Sequence, residues 1–394
     1  MTKALSTRAA RAAIDSDTAF GAVVPPLVLS SNFNFDGLGG KRRYDYTRSG
    51  NPTRDQLGDA LASLEGGAGA VVTATGMAAV TLVLHALLEP GDRLLVPHDC
   101  YGGSWRLFTA LAAKGAFELE SCDFTDGAEL AAAIERRPSL VWVETPSNPL
   151  LRITDIAAVS AAARAAGALV AVDNTFLSPA LQRPIEHGAD IVVHSTTKYI
   201  NGHSDVVGGA GIARESALAD QLGWWANALG ITGSPFDSYL TLRGLRTLDA
   251  RLRIQQESCA AIAGLLAQHP EVAAVHYPGL AGHPGHAIAA RQQDGFGAML
   301  SFDLTGGEEA VRAFVAGLDC FTLAESLGGV ESLIAHPASM THAAMSEDAR
   351  ARAGIGAGLL RLSVGIEALD DLTTDLIAAL GRAAACRKEV VDGR

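Results

Sequence analysis

The chain has 394 residues and a formal net charge of -12, with 48% of its residues hydrophobic and 19% charged. This balance suits a compact globular protein with room for more than one domain, and excludes a disordered chain. The acidic excess argues against a general nucleic-acid binder.

The first residues, Met1-Thr2-Lys3-Ala4-Leu5-Ser6-Thr7-Arg8, lack the apolar core of a signal peptide. Five cysteines (Cys100, Cys122, Cys259, Cys320 and Cys386) are scattered without CxxC spacing. The expectation is a cytoplasmic protein with reduced thiols, no bound metal and no disulfide framework. The most apolar window, residues 67–88, is interrupted by Thr73, Thr75, Gly76, Thr81 and His85. It reads as strand, turn and buried helix, not as a membrane span.

Residues 1 to about 60 read as irregular, broken by Pro25-Pro26, the glycines between 37 and 40, and Asn51-Pro52. A helical pattern begins at Arg54. Strands are predicted over 70–73, 93–97, 140–143, 169–172 and 191–194, alternating with helices over 77–88, 102–113, 127–136 and 156–166. That alternation predicts a mostly parallel α/β sheet. A long helical stretch over 237–268 follows. Strands over 297–302 and 359–363 and helices over 308–316 and 369–385 then predict a smaller α+β unit. The expected division is residues 1–60, 61–255 and 256–394.

Two predicted strands end in chemistry. Ile191-Val192-Val193-His194 runs into Ser195-Thr196-Thr197-Lys198, and Leu169-Val170-Ala171-Val172 ends in Asp173. A lysine just past a buried strand is costly to desolvate unless paired or chemically used. Open α/β sheets bind ligands beyond the carboxyl ends of their strands, where Asp173 and Lys198 both fall. A structural salt bridge would also explain either residue alone. Together with the Ser195 and Thr197 hydroxyls they match the needs of pyridoxal phosphate (PLP). The lysine bonds the aldehyde, the aspartate keeps the pyridine nitrogen protonated, and the hydroxyls hold phosphate.

Thr73-Ala74-Thr75-Gly76-Met77-Ala78 spans a strand–helix turn whose backbone N–H groups suit an anion, although glycine is common at such turns for packing alone. Tyr44 to Thr53 reads as an exposed loop, or as one presenting Tyr46 and Arg48 to a phosphate. Tyr101 follows the strand ending at Pro97, where its ring can stack on a planar cofactor. Arg361 lies inside an apolar strand, as half of a structural ion pair or as a clamp for an α-carboxylate. His98-Asp99-Cys100 and His203-Ser204-Asp205 are rejected as metal sites or triads, because adjacent side chains on a short turn diverge.

From residue 25 to residue 367 the chain resembles the Cys/Met-metabolism family of PLP-dependent enzymes. The resemblance is carried by Tyr46-Thr47-Arg48-Ser49-Gly50-Asn51-Pro52-Thr53, Thr75-Gly76-Met77, Glu144 to Leu150, Asp173-Asn174-Thr175, His194 to Tyr199, Asn201 to Asp205, Trp224 to Asn227 and Phe321 to Gly329. It implies fold type I: a mostly parallel seven-stranded sheet with helices on both faces, plus a smaller C-terminal α+β domain. It implies that Lys198 holds the cofactor and shuttles protons, that Asp173 pairs with the pyridinium nitrogen, and that Tyr101 stacks on the ring. Gly76, Met77, Ser195 and Thr197 are then phosphate ligands. Tyr46 and Arg48, on an arm over residues 1–60, are expected to reach the phosphate of a neighbouring subunit within a homotetramer built as a dimer of dimers. Arg361, with Ser326 and Asn148, is expected to hold the substrate α-carboxylate. Arg106, Asn227 and Glu325 are expected to serve the distal end of the substrate or the second substrate.

The implied reaction joins O-succinyl-L-homoserine and L-cysteine into L-cystathionine and succinate, a carbon–sulfur transfer in methionine biosynthesis by transsulfuration. Elimination from cystathionine (a lyase) and sulfide addition to an O-acylhomoserine are the alternatives; a non-enzymatic binding protein of the same fold is disfavoured by the intact Lys198, Asp173 and Tyr101. Ser49 stands where a γ-replacing member of the family carries a second arginine and related γ-lyases carry serine. Gly103 stands where methionine γ-lyases carry cysteine.

Overall fold

The computed structural model describes residues 3–343, 345 and 347–392. Seven strands form the larger sheet: β1 (Gly69–Thr73), β2 (Arg93–Pro97), β3 (Glu118–Cys122), β4 (Leu140–Glu144), β5 (Leu169–Asp173), β6 (Ile191–His194) and β7 (Gly209–Ala213). Their spatial order is β1-β7-β6-β5-β4-β2-β3. Only β7 runs against its neighbours; the other pairings are parallel.

The central strands are apolar throughout because both faces are covered. In β5, Ala171 packs with Ala79 and Val83 of the helix Gly76–Leu87. Val170 and Val172 point the other way, into a cluster with Val159 and Ala163 of the helix Ile156–Ala166. In β6, Ile191 and Val193 join the first cluster, while Val192 joins a core shared with Leu57 and Leu61 of the helix Pro52–Glu65. Each strand therefore alternates between two apolar layers, and its carboxyl end alone is left for polar side chains.

The five strands expected here are present, and β3 and β7 join them. β3 is the sheet edge, with the sequence Glu-Leu-Glu-Ser-Cys and two exposed positions, so its apolar signal is weak. β7 is Gly-Ala-Gly-Ile-Ala, fully buried yet nearly without side chains. It must be small: a Cβ on Gly209 would lie 2.2 Å from the Thr75 carbonyl oxygen. The first turn of the helix Gly76–Leu87 and the strand beside Lys198 are thus in backbone contact.

The second sheet contains β8 (Val272–His276), β9 (Met299–Leu304), β10 (Thr322–Leu323), β11 (Leu333–Ala335) and β12 (Leu359–Ser363), in the order β10-β11-β12-β9-β8. The predicted helix over 237–268 is two helices, Pro235–Leu245 and Leu248–Ala267, broken at Arg246-Thr247. The second carries buried Arg251, which donates to the carbonyls of Tyr199 and Gly244, both at 2.9 Å. A glycine at 202 with φ of 73° makes room, because a Cβ there would meet the guanidinium at 2.0 Å. The turn after Lys198 is therefore gripped from the next helix. Among the described residues, no helix is long and apolar enough to cross a membrane.

Candidate active site

A cavity of about 590 Å³ opens at the carboxyl ends of β4, β5 and β6. Its wall includes Gly76, Met77, Tyr101, Asp173, Ser195, Thr197 and Lys198 from the larger sheet and its connections. Asn148 from the loop after β4, Glu325 and Ser326 from the segment after β10, and Arg361 from β12 complete it. Sequence separations of up to 285 residues are thereby closed into one site, as expected for an open α/β sheet.

Lys198 is partly buried, and its Nζ donates to Ser326 Oγ at 2.8 Å. Burial, reinforced by the Arg361 charge and opposed by Glu325, pulls the amine down to about 8. Ser326 holds φ of 99°, a backbone region costly for a residue with a Cβ. Its carbonyl accepts from Arg361 Nη2 at 3.0 Å, so this residue touches both cations. Arg361 is 3% exposed, and its Nη1 donates to Asn148 Oδ1 at 2.8 Å. Among the described residues its Nε has no partner, so the guanidinium has donor capacity to spare. Its partners are neutral oxygens and not the carboxylate of a structural ion pair, which leaves the charge for a ligand.

Asp173 accepts from Thr175 N–H at 3.0 Å. Burial raises its carboxyl, against the Thr175 hydrogen bonds and His194. Thr175 Oγ1 in turn accepts from Ser195 N–H at 2.9 Å, tying the two strand ends together. The helix Gly76–Leu87 is capped by Thr75, whose Oγ1 accepts from Ala78 N–H at 2.9 Å, leaving Gly76 and Met77 at the head of the first turn. A Cβ on Gly76 would lie 2.7 Å from Ser195 Cβ, so the glycine lets the helix start approach the serine. Thr197 Oγ1 accepts from Gly208 N–H at 3.0 Å. These residues fit the cofactor. The helix start and hydroxyls form an anion cup, Asp173 lines the same cavity, and Lys198 has an amine partly stripped of its charge preference. Tyr101 stands at the rim, 43% exposed, with its ring free to cover a planar ligand. A side chain at Gly103 would meet that ring at 2.5 Å.

Four sequence candidates lie elsewhere in the protomer. Tyr46 and Arg48 line a separate cavity of about 480 Å³. Arg48 Nε donates to Asn227 Oδ1 at 3.0 Å, so these two candidates meet each other and not Lys198. Arg106 is exposed on the helix Gly102–Ala113 and is not part of the cavity wall. Among the wall residues without a role in the sequence reading are Glu144 and Thr175. Glu144 closes a buried strand, the same signal that singled out Asp173.

Residues 6–381 match the model of the Cys/Met metabolism PLP-dependent enzymes. The chain belongs to that family. It is therefore a PLP-dependent enzyme of cysteine and methionine metabolism. It is 56% identical to the cystathionine gamma-synthase of Escherichia coli K12 over 376 residues, covering 95% of this chain and 97% of that one. It is 45% identical to a cystathionine beta-lyase of Lactococcus lactis subsp. cremoris, covering 95% and 98%. The crystal structure of cystathionine gamma synthase from Xanthomonas oryzae pv. oryzae, in complex with aminoacrylate and cysteine, superposes with a TM-score of 0.97 at 69% identity. That match covers 98% of this chain and 100% of the other. The fold-type and cofactor expectations are borne out.

Proposed function

We propose that this enzyme replaces the γ-substituent of O-succinyl-L-homoserine with the sulfur of L-cysteine, giving L-cystathionine and succinate. The observation that carries the reading is the joining of Lys198 and Arg361 through Ser326 in one cavity. An amino-acid carboxylate on Arg361 brings its Cα to the lysine amine. Supporting it are the gamma-synthase name of the E. coli relative and the cysteine-bearing complex of the X. oryzae enzyme.

The bound cofactor supplies an electron sink for charge developing at the substrate Cα. Asp173 holds a proton on the ring nitrogen. Lys198 Nζ, starting as the neutral amine, would move a proton off Cα and then off Cβ so that succinate leaves from Cγ. It would return one to each carbon after the cysteine thiolate has bonded to Cγ. Arg361 fixes the α-carboxylate with the help of Asn148. Tyr101 shields the ring from water. Glu325 stands at the open side, where the incoming thiol or departing succinate would pass, and Arg106 is assigned to the carboxylate of the succinyl group.

Tyr46 and Arg48, facing a separate cavity on their own chain, are assigned to the phosphate of a neighbouring subunit, with Asn227 orienting Arg48. The catalytic unit is then a dimer, assembled as a dimer of dimers in the cytoplasm. Residues 1–60 form the exchanged arm, 61–255 the cofactor domain and 256–394 the small domain.

Elimination is the second reading, favoured by one observation. Ser49 Oγ lies 2.7 Å from both Asp45 Oδ1 and the Tyr46 carbonyl, so no cation occupies that position to grip a succinyl carboxylate. One preparation decides between them. O-succinyl-L-homoserine plus L-cysteine is expected to yield cystathionine faster than cystathionine alone is cleaved. The reverse ranking would assign a lyase.

A further inference from the structure

Glu144 ends β4 as Asp173 ends β5, and the two are register partners on parallel strands. Both carboxyls therefore leave the same sheet face, and both line the same cavity. Glu144 is 6% exposed. Its Oε2 accepts from Tyr101 N–H at 2.7 Å and its Oε1 from Trp142 Nε1–H at 3.2 Å. The ionisable groups facing it are Asp173, Asp99 and the buried thiol of Cys100. Asp99 is already engaged by Arg152 at 2.9 Å and Ser147 at 2.8 Å. The cavity's cations, Lys198 and Arg361, bond to Ser326 and Asn148 and not to Glu144.

We propose that Glu144 is a positioning residue of the cofactor site: a neutral carboxylic acid beside the Asp173 carboxylate, whose oxygens hold the Tyr101 backbone and the Trp142 ring N–H. The proposal rests on Asp173 facing the ring nitrogen. A buried Glu144 and a half-buried Asp173 at the ends of adjacent strands cannot both ionise cheaply, and one ring cation compensates only one of them. A second charge there would be buried without a partner, so Glu144 keeps its proton. Burial and the Asp173 charge both push its carboxyl upward. One side chain then fixes the stacking wall and the floor of the site relative to each other.

The test uses holoenzyme labelled with ¹³C-glutamate. Its infrared spectrum at neutral pH is expected to contain a protonated-carboxyl stretch that Glu144→Gln removes. The amide of Glu144→Gln imitates the neutral acid, so this variant should hold the cofactor within about twofold of wild type. Glu144→Asp is too short to reach Tyr101 N–H. It should release the cofactor about tenfold faster, with altered circular dichroism in the visible band, as a lost buried hydrogen bond implies. Absence of the protonated stretch from labelled wild type would overturn the proposal, whether or not either variant folds. So would faster cofactor release by Gln than by Asp. Asp173→Asn separates the two levels of argument. If it retains cofactor as wild type does, the placement of Asp173 at the ring is wrong. If it loses cofactor while the Glu144 results are negative, only the role of Glu144 fails.

Discussion

Replacing Lys198 with alanine is expected to remove the visible absorption band of the purified enzyme and to lower turnover by about 10²- to 10⁴-fold, the range for a lost general acid–base. In wild type the band should disappear on borohydride treatment. The side chain sits against Ser326 Oγ at 2.8 Å and has no carboxylate partner there, so its removal leaves no orphaned buried charge. The variant should therefore fold, and far-UV circular dichroism should match wild type. The lysine also sets a pH dependence. It accepts the Cα proton only when neutral, and its amine is drawn down to about 8. Turnover should thus rise with pH through that value and then level off. A wild type that stays colourless after cofactor addition would overturn the assignment of Lys198. A turnover profile flat across that range would overturn the pH prediction.

Arg361→Leu is expected to reduce kcat/KM by roughly 10²- to 10³-fold, the cost of truncating one member of a buried, hydrogen-bonded charge contact. The loss should be measured with substrates that carry an α-carboxylate. Arg361→Lys should not restore it. Nη1 reaches Asn148 and Nη2 reaches the Ser326 carbonyl, and a single ammonium cannot serve both and grip a ligand as well. The cofactor band should persist in both variants, because Arg361 does not touch the anion cup. An Arg361→Leu enzyme within threefold of wild type would exclude the carboxylate role.

Much of this site was legible because its residues sit where apolar runs stop. β5 and β6 are buried on both faces, so Asp173 and the Ser195 to Lys198 turn stand out as the first polar residues after hydrophobic strands. The same rule applied to β4 would have found Glu144. β7 escaped because its side chains are too small to produce an apolar signal. That smallness is what the contact between Gly209 and Thr75 demands. The break at Arg246-Thr247 escaped because neither residue is a helix breaker by itself; tertiary anchoring of Arg251 on the Lys198 turn sets the second helix. The partners of Arg361 were nameable only through family resemblance. Asn148 precedes it by 213 residues, and no local pattern links a loop to a strand across that separation.

Ser326 has a consequence for how such an enzyme diversifies. Its hydroxyl sets the surroundings of Lys198, its carbonyl restrains Arg361, and its φ of 99° makes both depend on one unusual backbone conformation. Proton affinity at the lysine and grip on the carboxylate are therefore inherited as a single trait. Drift at this position would alter both at once. Changes of substrate range are then expected to accumulate at wall positions such as Thr341, whose hydroxyl bonds to His342 and to neither member of that coupled pair.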